Sequence, residues 1–250
     1  MEKSFRKRIA SNELLIGTVL SLQSPEVAEL LVSCGFDWFF IDMEHGVYDM
    51  SCAQSMVMAA SPDVPCLIRV PSLSEVWIKK CLDLGSAGII VPQLRNREDA
   101  ERAVRWSKFP PQGERSVGIA RAHGYGMNFQ KYVENANNEV VLALQVEHID
   151  AVNNLDAILS VPGFESVIIG PYDLSGSMGK IGQVTDPEVK GAIDYVKKSC
   201  QDAGKPVGIF GASSEAVKGY IEDGYKLVIA GMDMMLLGNA AQKMLAELKQ

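Results

Sequence analysis

Eight short apolar runs recur along the chain, spaced so that a helix fits between most neighbours, and this alternation limits the possible folds more than any other feature. The runs cover residues 14–22, 38–42, 66–70, 87–92, 140–147, 166–170, 206–210 and 226–231. Each is nearly continuous rather than alternating, the pattern of parallel strands buried on both faces. Helical stretches lie between them. "SPEVAELLVSCG" offers Ser24 as N-cap and Pro25 at the first helical position, and closes at Gly35. "DPEVKGAIDYVKKSCQDAG" repeats the design with Asp186, Pro187 and Gly204, and residues 74–85, 96–107, 148–159 and 213–224 supply further helices. Eight βα units with no linker or low-complexity segment predict one α/β domain over residues 1–250, a (β/α)8 TIM barrel. An open doubly wound sheet is the alternative, but eight regular units strain its usual size. Residues 107–139 break the rhythm with Pro-Pro, several glycines and no clean period, and read as a folded active-site or interface loop.

The chain is 47% hydrophobic and carries a net charge of −7, with no basic run beyond Arg6–Arg8. The long-range field therefore has the wrong sign for nucleic acid or an anionic membrane surface. Five cysteines, odd in number and without a C-x-x-C, argue against a disulfide framework or structural zinc and suggest a reducing compartment. With no signal-like N-terminus and no stretch long enough to span a bilayer, a cytoplasmic location is expected.

In a parallel barrel the chemistry gathers where strands end. The second run ends in Asp42, Glu44 and His45, and the third in Arg69. The fourth ends at Gln93, the fifth in Gln145 and Glu147, and Asp173 follows the sixth. Singly, Glu147 reads as a helix cap and Asp173 as a turn residue. Together, two acids on neighbouring strand ends repel unless a cation offsets them, and a divalent ion with oxygen ligands such as Mg²⁺ or Mn²⁺ suits that arrangement. Arg69 inside an apolar strand needs an anion, either a neighbouring carboxylate or a carboxylate or keto substrate. His45 reads as an acid–base group tunable near neutral pH. His123 and His148 read as ordinary loop and helix-start residues, and Asp83, taken alone, as a surface residue. No nucleotide fingerprint is present. The Met-rich C-terminal segment reads as a core helix or a subunit contact.

"FDWFFIDMEHG", "IRVP", "GIIVPQ", "FPPQGERSVG", "LQVEHIDAVNNLDAIL" and "IIGPYDLSGSMG" occur in order over nearly the whole chain and together resemble the HpcH/HpaI class II aldolase family. The resemblance implies a metal-dependent lyase that reversibly cleaves a 4-hydroxy-2-oxo acid to pyruvate and an aldehyde. It implies Glu147 and Asp173 as ligands of Mg²⁺, Mn²⁺ or Co²⁺, and Arg69 as the pyruvate-binding arginine. His45 would move the proton, oriented by Asp83. Gln145 and the backbone after Gly170, through Pro171 and Tyr172, would contact pyruvate, with Asp42 and Glu44 supporting them. A homotrimer or homohexamer with its last helix exchanged between subunits is also implied. Val19, His148, Tyr172 and Phe210 depart from residues common in the family and bear on the acceptor aldehyde, with Phe210 and Tyr172 expected to shape its pocket. Two rivals are a lyase of CoA thioesters and a barrel that binds a keto acid or metal without catalysis. The first lacks a basic cluster for CoA phosphates. The second is disfavoured because the acids, arginine and histidine are all present.

Overall fold

All eight apolar runs form strands, and the strands close on one another. The computed structural model describes residues 3–249. The strands are β1 (Leu15–Leu20), β2 (Trp38–Asp42), β3 (Cys66–Arg69), β4 (Gly88–Val91), β5 (Val141–Val146), β6 (Ser166–Ile169), β7 (Val207–Gly211) and β8 (Leu227–Met232). They run parallel in chain order, and β8 pairs back onto β1 to complete the expected (β/α)8 barrel. The helices are α1 (Phe5–Ala10), α2 (Pro25–Val32), α3 (Met50–Ala60), α4 (Glu75–Asp83), α5 (Arg97–Ser107) and α6 (Phe129–Glu139). After β5 come α7 (Ile149–Asn153), α8 (Leu155–Leu159), α9 (Pro171–Ser177), α10 (Pro187–Asp202), α11 (Ser214–Glu222) and α12 (Asp233–Leu248).

Local chemistry starts these helices where the sequence suggests. Ser24 accepts from the Val27 N–H at 3.3 Å with Pro25 behind it, and Asp186 accepts from Glu188 at 2.9 Å. Residues 148–159, read as one helix, are two. Asn154 departs from helical geometry, and its amide donates to Arg95 O and Asp150 O, so a side chain competing for backbone acceptors interrupts the ladder.

Two apolar layers result. The outward-facing residues of the strands, such as Phe39, Ile41, Ile68 and Leu144, pack under the helices. The inward-facing set, including Leu15, Trp38, Leu67, Val141 and Leu227, fills the barrel, and Phe5 and Ile9 of α1 plug its N-terminal end. A Cβ on Gly17 would lie 2.5 Å from the Trp38 indole, so glycine there makes room for the largest side chain of the layer. Inward parity continues upward through Asp42, Arg69, Gln145, Gly170 and Phe210, which places these residues at the strands' C-terminal mouth.

The irregular interval, read as an active-site or interface loop, does not reach the mouth of its own barrel. After a loop it forms a 3-10 turn at Arg121–His123 and then α6, and it is fastened at the end of the barrel opposite the mouth. Buried Lys108 reaches Asn137 O, Val140 O and Glu165, and buried Arg115 bonds Asp83 at 2.7 Å and Tyr132 at 3.2 Å. None of this interval lines the mouth, and Val117, Ile119, Tyr125 and Met127 stay exposed. Helix α12 also stands off the barrel, burying only Asp233 and leaving Leu237, Met244 and Leu245 exposed. Among the described residues no helix is long and apolar enough to cross a membrane.

Candidate active site

A cavity of about 290 Å³ opens at the C-terminal mouth. Its first organising element is Asp42, the last residue of β2. One carboxylate oxygen accepts from Arg69 Nε at 2.9 Å and from the Glu44 and His45 N–H groups at 3.1 and 3.3 Å, and the other accepts from Arg69 Nη2 at 2.7 Å. The same side chain therefore folds the Met43–Gly46 turn and fixes the guanidinium. Burial alone would raise the Asp42 pKa, but the Arg69 bonds and charge, helped by the two N–H groups, hold it below the usual range. Arg69 lies over the Phe40 ring, 5.1 Å from its centroid, and Glu44 approaches Arg69 Nε to 3.3 Å. Burial pushes the Glu44 carboxyl upward, with Arg69 opposing.

Glu147 follows β5 and is 1% exposed. Its Oε1 accepts from the Gln93 N–H at 2.8 Å and its Oε2 from the Gln145 amide. Burial is the main cause that lifts its pKa to about 7; the Gln93 N–H opposes, and Glu44 and Asp173 add repulsion. Gly170, at the end of β6, lies against it. A Cβ there would sit 2.9 Å from Glu147 Oε2 and 3.1 Å from Gln145 Nε2, so any larger residue would press into these two side chains. Asp173 projects from the first turn of α9 at the cavity edge.

The donor set suits a hard divalent cation. Four carboxyl groups (Asp42, Glu44, Glu147, Asp173) gather around Arg69, and Glu44 and Asp173 repel Glu147. Each Glu147 oxygen retains a lone pair beyond its one bond, and buried Gln145 Oε1 has no hydrogen-bond partner. Among the described residues no group of three His, Cys, Asp or Glu side chains is arranged around a common point, so two carboxylates with water or substrate oxygens are the available arrangement.

A family model, HpcH/HpaI aldolase/citrate lyase, matches residues 16–240. The chain belongs to the HpcH/HpaI aldolase/citrate lyase family. It is 38% identical over 251 aligned positions to a hydroxypyruvate/pyruvate aldolase of Roseobacter denitrificans, covering 99% of this chain and 97% of that protein. It is 37% identical to a 4-hydroxy-2-oxo-heptane-1,7-dioate aldolase of Escherichia coli, covering 98% and 95% of the two chains. The crystal structure of an HpcH/HpaI aldolase/citrate lyase family protein from Burkholderia cenocepacia superposes with a TM-score of 0.94 at 33% identity, covering 98% of each chain.

Of the residues that family resemblance picked out, Asp42, His45, Arg69, Gln145, Gly170, Pro171, Tyr172, Asp173 and Phe210 line the cavity. Glu44 and Glu147 lie just behind its wall, bonded to residues that line it. Asp83 does not join them. Helix α4 runs antiparallel to the strands, so its last residue lies at the far end of its own barrel, where Asp83 binds Arg115 and does not reach the same chain's His45. His123 is buried among Phe129 and Tyr132, and His148 caps α7, so both keep the ordinary readings.

Three features of this family member escape the strand-end reading. The Gln93 backbone, at φ 58°, turns its N–H onto Glu147. Asp233 accepts from Ser21 N and Leu22 N, both at 2.9 Å, and from the Ser21 hydroxyl, which ties the end of β8 to the loop after β1. Ile229 and Met232 of β8 form one side of the cavity. Applying the strand-end rule to the eighth strand would have flagged Asp233.

Proposed function

We propose that this chain is a class II pyruvate aldolase, an aldehyde-lyase that reversibly cleaves a 4-hydroxy-2-oxo acid to pyruvate and an aldehyde. The observation that carries the reading is one cavity that gathers His45, Arg69 and Asp173, with Glu147 behind its wall, in a chain 38% identical to a hydroxypyruvate/pyruvate aldolase. Glu147 and Asp173 would hold the divalent cation, Mg²⁺ or Mn²⁺, which when bound polarises the keto group and offsets charge gained by its oxygen.

The chain's own residues do the rest. Arg69, held flat by two bonds to Asp42, keeps three N–H groups for the carboxylate and keto oxygens of pyruvate. Gln145 and the backbone from Gly170 to Tyr172 support the same end of the cavity. His45 takes a proton from the pyruvate methyl group, and the C–H pair becomes the enolate. The enolate carbon forms a bond to the aldehyde carbon, the carbonyl π pair moves to oxygen, and that oxygen takes up a proton. Cleavage reverses each step, with no net oxidation or reduction.

A homotrimer or homohexamer of cytoplasmic chains is the proposed setting. It is supported by the apolar residues of α12 that stay exposed among the described residues, and by five free cysteines.

Proton–deuterium exchange at the pyruvate methyl group, followed by NMR, tests the reading without any aldehyde. Exchange should require a divalent metal, stop with chelator, and fall at least about a hundredfold in His45→Ala. A folded protein that exchanges nothing with any divalent metal would sink the proposal and favour a CoA-thioester lyase or a binding barrel.

A further inference from the structure

We infer that Gln93 is a positioning residue for the divalent cation, and that it acts through its left-handed backbone and not through its side chain. The inference rests on the aldolase reading above, in which Glu147 holds that cation, and adds the element that aims this ligand. Regular pairing of β4 with β5 ends at Val91 and Leu144. Pro92 has no N–H with which to extend the ladder. The next backbone donor, that of Gln93, leaves the strand pairing and meets Glu147 Oε1 at 2.8 Å. A left-handed turn sends it there, with Gln93 at φ 58° between the buried residues Pro92 and Leu94.

Three observations converge on this role. Asn12, Gln93 and Tyr125 are the non-glycine residues of positive φ among the described ones, and of these only Gln93 stands at the C-terminal mouth. Glutamine lacks the short side chain that lets asparagine settle in this region, so its surroundings must hold the conformation. The Gln93 side chain does not hold it, being exposed and accepting a long bond, 3.4 Å, from Arg95 Nη2. The other Glu147 oxygen takes its bond from the Gln145 amide, at the end of a side chain with rotamers of its own. The Gln93 N–H is thus the fixed donor of the two. It sets the plane of the carboxylate and leaves each oxygen a lone pair for the cation. The bond joins a backbone donor to a residue 1% exposed in the same chain, so it needs no neighbouring subunit.

The test titrates Mn²⁺ into the full chain, metal-free at the start, and reads the free ion by electron paramagnetic resonance. Gln93→Gly and Gln93→Ala remove the side chain but admit the left-handed region, and each should bind Mn²⁺ within about threefold of the wild type. Gln93→Val brings a branched side chain that this region excludes, and should weaken binding by about tenfold or more. Gln93→Thr, branched but polar, should lose affinity in the same sense and decides the matter if Gln93→Val does not fold. Wild-type affinity in a folded Gln93→Val would overturn the inference. Losses in Gln93→Gly and Gln93→Ala as large as in Gln93→Val would also overturn it, by giving the role to the side chain. Glu147→Gln separates the inference from the reading beneath it. Binding that Glu147→Gln abolishes and that every change at position 93 leaves intact would sink the inference alone. Binding that Glu147→Gln leaves intact, or none in the wild type, would remove the metal ligand of that reading and this inference with it.

Discussion

Asp42 meets four donors with two oxygens, and this makes it the residue on which the mouth depends most. Asp42→Asn keeps the size and one acceptor oxygen but removes the charge that holds Arg69, whose side chain is 11% exposed. Leaving a buried guanidinium short of its partner costs about 3 kcal/mol or more. Pyruvate methyl exchange should fall by about a hundredfold or more, with a matching loss in the urea midpoint; near-wild-type exchange would show that Arg69 is placed by other contacts. Glu147 makes a pH prediction. Its folded pKa of about 7 lies above the ordinary carboxylate value of 4.5, so the folded chain keeps the proton that the unfolded chain releases. The contribution of Glu147 to the stability of the metal-free protein is therefore full below about pH 4.5, falls as pH rises through the window from 4.5 to 7, and levels off above it. The slope is on the order of 1.4 kcal/mol per pH unit within that window. Melting temperatures taken in chelator from pH 5 to 8 should show the fall in wild type and not in Glu147→Gln, and equal slopes would exclude Glu147 as its source. At this scale Asp42, Arg69 and Glu147 were legible because each is a charged residue at the end of an apolar run. The role of the Gln93 N–H was not, since it depends on a backbone conformation at φ 58° that residue type does not reveal.

Among the elements, the join between β8 and β1 closes the barrel, and Asp233 secures it. Its carboxylate serves Ser21 N, Ser21 Oγ, Leu22 N and Met234 N while remaining 3% exposed. Asp233→Ala would strand these donors, and bonds to a charged group are worth about 1.5–3 kcal/mol each. A loss of roughly 2–4 kcal/mol in urea unfolding is expected, together with looser positioning of Val19 and Met232 on the cavity wall. A change within 0.5 kcal/mol would show that strand pairing alone carries the closure. Helix boundaries were legible wherever a capping residue preceded Pro, as at Ser24–Pro25 and Asp186–Pro187. Helix α6 was not. Its sequence FQKYVENANNE buries only Ala136, so no apolar stripe announces it, and its place comes from Asn137 bonding Phe109 at the far end of the barrel. The pairing of Asp83 with Arg115 at the far end of its own barrel was not legible either, because strand-end logic does not apply to the end of a helix.

For the whole molecule, α12 is the part least explained by a single chain. A sixteen-residue helix that buries one residue against its own barrel gains little from packing, and isolated helices of that length are marginal in water. Truncation after Asp233 should reduce the proposed homotrimer or homohexamer to single chains in light scattering, with circular dichroism losing only the contribution of α12. An unchanged assembly mass would move the subunit contact elsewhere, to the exposed Val117, Ile119, Tyr125 and Met127.

The eight runs and their spacing determined by themselves that parallel strands alternate with helices, because only strands covered on both faces can be apolar without interruption. They also put the charged residues at the strand ends. That double burial hid which face each residue takes: Phe39 and Ile41 point to the helices, whereas Trp38, Phe40 and Asp42 point into the barrel, yet all are equally buried. Tertiary closure of the barrel decided that parity, and with it which residues line the mouth. Inward and outward become distinct only when β8 returns to β1, a pairing between residues more than two hundred positions apart that no local pattern encodes.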